Sequence, residues 1–364
     1  MAIAPYPDTR RRLRAVLVAA ALVPALVAPV RAADPAPAAD PLAEHEQDID
    51  AAIERGLKYL LSKQQDNGAF ACPMEGNTAV TSLCVMAFLA KGYTPETPPH
   101  GEALNRAIDY VVSAQNDSGL LVAKGRSHGP MYSHGISTLM LSEVSGMLSP
   151  ERQRRVGKAL SKALALILQA QDVEKKDPRH QGGWRYQPHS RDSDISCTGW
   201  QIMALRSART NGAPVPADAI DDAVKHVLRC RDEKSGGFCY MPGKSPGLAR
   251  TGTGLLCLEL TGRHGTAPTV QAGKWLLKHL PNRWGGGHFY YGIYYCSQGM
   301  FQLGEDYWHP WADRLYRIAL KTQREDGSWP TEAGSAKKAG PTYATAMTIL
   351  AVSVAYRQLP IYQR

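Results

Sequence analysis

Apolar residues form two alternating kinds of segment along this chain. In the first kind they recur at helical spacing on one face only, as at Ile53, Leu57, Leu60 and Leu61, which is the pattern of a half-exposed helix. In the second kind, such as residues 82–89 and 344–352, nearly every position is apolar or small. A helix that is apolar on all sides is surrounded by protein. The alternation therefore predicts pairs of helices, one facing solvent and one buried.

A short turn with glycine and an aromatic residue separates the two segments of each pair. The clearest copies run from Gln323 to Trp329 and from Gln64 to Phe70. Equivalent turns start at Gln115, Gln171 and Cys230, and a degenerate copy lies at residues 282–286. Six units of roughly 50 residues follow one another, and no polar unit caps the series as an open stack would require. We predict an all-α fold, a single (α/α)6 toroid of six helix-pair repeats.

The first 32 residues have the pattern of an export signal. Arginines at positions 10, 11, 12 and 14 precede an uncharged apolar run over residues 15–30, and a small-residue cleavage pattern ends at Ala32. A membrane-spanning helix is the alternative, but the run is short and contains Pro24 and Pro29. We predict a signal peptide at 1–32, a Pro/Ala-rich linker at 33–46 and the toroid at 47–364. Residues 9–14 resemble a twin-arginine signal, and the predicted location is periplasmic or extracellular.

Charge and cysteine spacing exclude other classes of function. The net charge is +9, but no stripe of lysine and arginine with interleaved aromatic residues is present, so nucleic acid is not an expected partner. No segment after the signal is apolar enough to span a membrane. The seven cysteines include no C-x-x-C pair, so we expect no metal and no cofactor. Cys230 and Cys239 flank one turn and are candidates for a short disulfide loop, whereas most other cysteines read as core residues.

The first turn and the helix before it resemble the QW repeat of the squalene cyclase and protein prenyltransferase superfamily. The resemblance rests on residues 55–60 followed by Gln64, Gly68 and Phe70, and it extends over six copies from about residue 49 to the end. The chain also resembles exported, single-barrel bacterial proteins with prenyltransferase/squalene oxidase repeats. In the superfamily, the repeat residues tie outer helices to inner ones. The resemblance implies this structural role for Gln64, Gln171, Trp184, Gln323 and Trp329.

The resemblance also implies that reactive residues lie where inner helices begin. The most polar such stretch is residues 191–198, which contains Asp192 and Asp194. Class II terpene cyclases carry D-x-D-D-T here, and its middle aspartate protonates the substrate. One alignment places Asp194 on that acid, and another places Ser196 there, which cannot protonate an alkene. Asp192 and Asp194 are the candidate catalytic residues, and helix capping is the alternative role of Asp194.

Several side chains are candidates for lining the barrel cavity. The candidates are Trp200, His134, Arg250, Tyr291, Tyr294 and Tyr295. Aromatic faces stabilise carbocations, and they also stack on sugars or simply pack in a core. Asp194 and Cys197 do not match the zinc-ligand spacing of protein prenyltransferases, which supports the expectation of no metal.

Three hypotheses of function follow from these features. The first is an apolar, isoprenoid-like ligand held in the barrel cavity, as in a terpene cyclase or isomerase, with catalysis left open by the degenerate acid motif. The second is a non-catalytic scaffold that binds a protein partner. The third is a lyase or hydrolase acting on a polysaccharide, since α/α barrels also carry that chemistry and fold alone does not determine function.

Overall fold

The structure is a computed structural model that describes residues 42–74, 77–123, 129–331 and 336–362. The predicted signal peptide and most of the predicted linker lie outside these residues. Within the linker range, Leu42 is already buried and the first α-helix begins at Glu46. The described residues form twelve α-helices and no named strand. None of these helices has the length and apolarity that crossing a membrane requires.

The twelve helices alternate between an outer and an inner position. The outer helices are α1 (Glu46–Leu61), α3 (Gly101–Ser113), α5 (Pro150–Asp172), α7 (Ala217–Arg229), α9 (Ala267–Lys278) and α11 (Glu305–Thr322). The inner helices are α2 (Thr78–Ala90), α4 (Pro130–Glu143), α6 (Ile195–Thr210), α8 (Leu248–Leu260), α10 (Phe289–Leu303) and α12 (Ala336–Val352). Every residue of α2 is buried, as expected for a helix that is apolar on all sides.

The inner helices form a closed ring. Each packs against the next, from α2 through α4, α6, α8 and α10 to α12, and α12 packs against α2. Closure leaves no unit with an exposed apolar end, which removes the need for a polar capping repeat. The predicted (α/α)6 toroid is confirmed.

The repeated glutamine of the turns joins neighbouring outer helices. Its Nε2 donates to a carbonyl within its own turn and to a carbonyl in the next outer helix. The second bonds run from Gln64 to Ala103 (2.7 Å), Gln115 to Ala159 (2.9 Å), Gln171 to Ala219 (2.8 Å) and Gln323 to Ala52 (2.8 Å). Because Ala52 belongs to the first outer helix, the last of these bonds closes the ring between the sixth and first units.

Trp184 and Trp329 connect three parts of their own units. Both indoles are buried, and their Nε1 atoms donate to carbonyls of the preceding outer helix, at 2.8 Å to Ile167 and 3.0 Å to Ala319. Their backbone N–H groups bind the hydroxyls of Thr198 and Thr345 in the following inner helix. Each tryptophan thus buries a large apolar area while its polar atoms remain satisfied.

All seven cysteines are free thiols. Cys230 and Cys239, the candidates for a short disulfide loop, are joined instead by a backbone hydrogen bond of 2.8 Å from the Cys239 amide to the Cys230 carbonyl. Burial raises the pKa of both thiols, which lowers their thiolate fraction and their reactivity. This turn is therefore held by backbone pairing.

Candidate ligand site inside the toroid

Asp194 is the N-cap of inner helix α6. Its Oδ1 accepts from the amide of Cys197 at 2.8 Å, and its Oδ2 accepts from the hydroxyl of Tyr240 at 2.9 Å. The side chain is fully buried, and burial raises the pKa of the carboxyl to about 6. Both oxygens thus accept a hydrogen bond, and the bond from the Cys197 amide is that of a helix N-cap, the alternative role predicted for Asp194.

A guanidinium connects the two candidate aspartates. Arg185 forms an ion pair with Asp192, and its Nε lies 3.7 Å from Oδ2 of Asp194. The same guanidinium lies over the rings of Tyr186 at 5.0 Å and Tyr240 at 5.9 Å. The two phenol hydroxyls are hydrogen-bonded to each other. A chain of hydrogen bonds therefore runs from partly exposed Tyr186 through Tyr240 to buried Asp194.

Four tyrosines, two of them members of this network, lie close to the starts of the inner helices. Tyr132 starts α4, Tyr186 and Tyr240 lie in the loops before α6 and α8, and Tyr291 starts α10. All four are partly exposed. The ring of Tyr132 lies 5.9 Å from that of Tyr186, and the hydroxyl of Tyr291 donates to the Ser196 carbonyl at 3.0 Å. We call this group the tyrosine rim; it offers aromatic faces and hydroxyls to a ligand.

The predicted cavity residues of α6 and α10 meet inside the ring. The indole of Trp200 stacks on Tyr294 at 5.5 Å, with an interplanar angle of 11°, and meets Tyr295 edge-on at 5.3 Å. These two helices are separated by α8 in the ring, so their side chains can meet only in its interior. Trp200, Tyr294 and Tyr295 are all buried. Tyr291 of the rim packs against Trp200 and Tyr295, so the predicted cavity residues of α6 and α10 form one aromatic cluster.

The remaining two predicted cavity residues lie elsewhere. His134 is fully buried, and its Nδ1 accepts from the Leu121 amide at 3.1 Å while its Nε2 lies 3.1 Å from the Ala163 carbonyl. Burial lowers the pKa of His134 to about 4, so the neutral imidazole links the turn of the second unit to the outer helix of the third. Arg250, in the first turn of α8, donates to the Ser245 carbonyl at 2.8 Å and is only partly buried.

The chain's end closes the opposite side of the ring. After α12, short 3-10 helices at Val354–Tyr356 and Pro360–Tyr362 return the chain to the interior. The amide of Ile361 donates to Oε2 of Glu143 at 3.1 Å, and the hydroxyl of Tyr362 bonds that of Tyr294 at 2.7 Å. Glu143 is not among the residues predicted for the site. Its place as the last residue of a largely apolar inner helix is the feature of the sequence that could have indicated it.

Glu143 predicts a dependence of stability on pH. Burial raises the pKa of this carboxyl from 4.5 to about 7. Between these pH values the Glu143 carboxyl is ionised in the unfolded chain but still protonated in the folded protein. The free energy of unfolding therefore falls as the pH rises, by on the order of 3 kcal/mol in total. Glu143→Gln cannot ionise, so the stability difference between wild type and variant is expected to shift against wild type between pH 4.5 and 7.5. Urea unfolding of both proteins tests this, and a pH-independent difference would contradict it.

One cluster among the described residues offers three metal-ligand atoms. Glu44, His45 and Asp313 place these atoms within 4.8 Å of one another. Arg317 donates to both carboxylates, at 2.6 and 2.9 Å, and so neutralises the charge that would attract a cation. The cluster lies at the start of the toroid, among residues unrelated to the tyrosine rim.

Similar solved structures show the same fold with different chemistry. A variant of the type II terpene cyclase MstE from Scytonema, in complex with geranylgeranyl dihydroxybenzoate, is 14% identical, with a TM-score of 0.57 over 87% of this chain and 99% of that one. An inactive variant of an α-1,6-mannanase from Salegentibacter, in complex with α-1,6-mannotetrose, is 10% identical, with a TM-score of 0.61 over 84% and 99%. At such identities the likeness concerns the fold alone.

At the level of sequence, the family is clear. No curated protein matches the chain significantly. The prenyltransferase alpha-alpha toroid domain, however, matches residues 7–272, which is well over half of the chain. This match agrees with the six-unit ring, the glutamine bonds between outer helices and the buried inner helices. The chain is therefore a member of the prenyltransferase α/α-toroid family.

Proposed function

We propose that the protein binds an apolar, isoprenoid-like molecule inside the toroid and that the molecule enters past the tyrosine rim. The observation that carries this proposal is a continuous aromatic surface from the partly exposed rim to the buried interior. The ring centroid of Tyr291, in the rim, lies 6.3 Å from that of Trp200 and 4.6 Å from that of Tyr295. Aromatic faces attract apolar chains and buried aromatic rings contribute large contact areas. A protein with this fold has been seen in complex with geranylgeranyl dihydroxybenzoate, which supports the proposed chemical class.

The polar network gives the ligand a point of attachment. Tyr186 is the partly exposed end of the hydrogen-bonded chain that leads to Asp194. A ligand hydroxyl at the rim can therefore bond a phenol that is polarised by a buried carboxyl, in surroundings where hydrogen bonds strengthen one another. The proposed function is therefore binding of the ligand, with Asp194 as the buried end of this network.

The binding proposal is tested with geranylgeraniol and the purified chain from residue 33 onward. We expect saturable one-to-one binding in native mass spectrometry and in tryptophan fluorescence, because Trp200 lies beside the rim. Tyr132→Ala is expected to weaken binding about fivefold, since one aromatic contact contributes on the order of 1 kcal/mol. Tyr110→Ala, which removes a partly buried tyrosine from outer helix α3, is the matched control. If the two substitutions weaken geranylgeraniol binding equally, the ligand does not bind at the tyrosine rim.

A carbohydrate ligand is the second candidate. The specific observation in its favour is the contact of Arg185 with both Asp192 and Asp194 among tyrosines, because carboxylates and aromatic faces together are typical of sites that act on sugars. α-1,6-Mannotetraose is the probe, used under the same conditions. Binding of the tetrasaccharide without binding of geranylgeraniol would replace the first proposal, and absence of both would favour a scaffold that binds a protein partner.

We further propose that the protein acts outside the cytoplasm after removal of residues 1–32. The arginine-rich start and the apolar run support this proposal. The N-terminal sequence of the protein recovered from the periplasm or medium tests it; an intact N-terminus on cytoplasmic protein would contradict it.

A further inference from the structure

We propose that the interior of the toroid contains a binding site whose resident occupant is the chain's own C-terminal segment, residues 359–362, and that an apolar ligand competes with this segment for the space. The identity of the competing ligand rests on the proposed function, whereas occupancy by the segment rests on contacts described below. The ligand class is thus an apolar molecule with a phenol or alcohol group, in the place of Tyr362.

The site recognises the backbone of the segment from two sides of the ring. Oε2 of Glu143, at the end of α4, accepts from the Ile361 amide at 3.1 Å, and Nε2 of Gln302, near the end of α10, donates to the Tyr362 carbonyl at 3.3 Å. Glu143 is fully buried, and its other oxygen accepts from the Ser207 hydroxyl of α6. A buried carboxyl and a buried amide that bind backbone groups of this short 3-10 segment form the polar part of a binding site.

The side chain of Tyr362 occupies the apolar part. Its hydroxyl bonds that of Tyr294 at 2.7 Å and lies 3.9 Å from the sulfur of Met203. Tyr294 in turn stacks on Trp200. The phenol therefore touches α6 and α10 together and continues the aromatic surface that begins at the tyrosine rim. Any molecule that extends along this surface must displace the ring of Tyr362.

The segment can move without unfolding a helix of the ring. It follows the last inner helix, and a cavity of about 810 Å³ lies beside it, lined by Gln302, Tyr356 and Tyr362 among others. Arg357, two residues before the segment, has a φ of 52°, a left-handed conformation that is unfavourable for a residue with a side chain. Free space and local strain both lower the cost of displacement.

The test combines a readout that needs no ligand with ligand binding. Cys257 is fully buried on α8, the inner helix between α6 and α10, and Tyr362 contacts both of those helices. In Tyr362→Ala we expect Cys257 to react with N-ethylmaleimide at least tenfold faster than in wild type, measured by peptide mass spectrometry. Cys84 of α2 is equally buried and is the internal control whose rate stays unchanged. Geranylgeraniol is expected to bind this variant at least tenfold more tightly.

The outcomes separate the two proposals. Unchanged labelling of Cys257 together with unchanged geranylgeraniol affinity in folded Tyr362→Ala would overturn the inference and leave the proposed function standing. Faster labelling with no geranylgeraniol binding by either protein would support occupancy by the segment and overturn the proposed ligand. Should Tyr362→Ala fail to fold, Tyr362→Phe retains the ring and loses only the hydroxyl, with its bond to Tyr294 and its contact with the Met203 sulfur. It is then expected to label Cys257 a few times faster than wild type, and an unchanged rate would overturn the inference.

Discussion

Gly182→Ala is expected to lower the free energy of unfolding by about 3 kcal/mol. Gly182 has a φ of 83°, and a Cβ added there would lie 2.3 Å from the carbonyl oxygen of Asp222. A left-handed conformation costs an alanine about 1–2 kcal/mol, and overpacking against a neighbour costs a further 1–3 kcal/mol. Since Asp222 belongs to the next outer helix, α7, the substitution pushes two units of the ring apart.

Gly212→Ala separates the steric effect from the backbone effect. Gly212 has a φ of 86°, yet no atom lies within 4 Å of the Cβ position. Its replacement is expected to cost only the conformational penalty, about 1 kcal/mol. Urea unfolding of both variants and wild type provides the measurement. Equal losses would contradict the view that the turn glycine is required for close approach of neighbouring units.

Trp329→Ala is expected to lower the free energy of unfolding by about 3–5 kcal/mol, the usual cost of removing a fully buried tryptophan. The indole is completely buried and donates to the Ala319 carbonyl at 3.0 Å. It also packs closely on Gly56 of the first unit: a Cβ added to Gly56 would lie 3.1 Å from the Trp329 ring. The substitution therefore removes packing at the contact between the sixth unit and the first.

Trp284→Ala is the matched control for this substitution. Trp284 occupies the degenerate fifth turn, is only partly buried and bonds the hydroxyl of Tyr290 at 2.8 Å. Its removal leaves a smaller cavity, so the expected loss is about 1–2 kcal/mol. Thermal and urea unfolding report both variants. A loss for Trp284→Ala as large as that for Trp329→Ala would mean that burial in the turn does not determine the contribution of its aromatic residue.

The site was only partly predictable from the sequence. Asp194 was identified by its position before an inner helix, because capping and helix starts are local features. Its partner Arg185 lies in the same loop, whereas Tyr240 lies in the loop before α8, and its distance from Asp194 depends on how α6 and α8 pack. His134 is a cavity candidate in the sequence because it lies at the start of an inner helix. His134 accepts the backbone N–H of Leu121 in its turn, as the hydroxyl of Thr81 accepts that of Phe70 in the first unit. Aligning the repeats with one another would have indicated this equivalent role.

The sequence by itself determined the alternation of half-exposed and buried helices, the six turns and hence the ring, because each depends on residues within one unit or its neighbour. The tertiary structure decided what fills the ring. Tyr294 meets Trp200 although α8 separates their helices, and Ile361 binds Glu143 across 218 positions of the chain. Contacts of this range follow from the curvature of the whole ring and from the path of the last residues, and no local pattern of apolar and polar positions contains either.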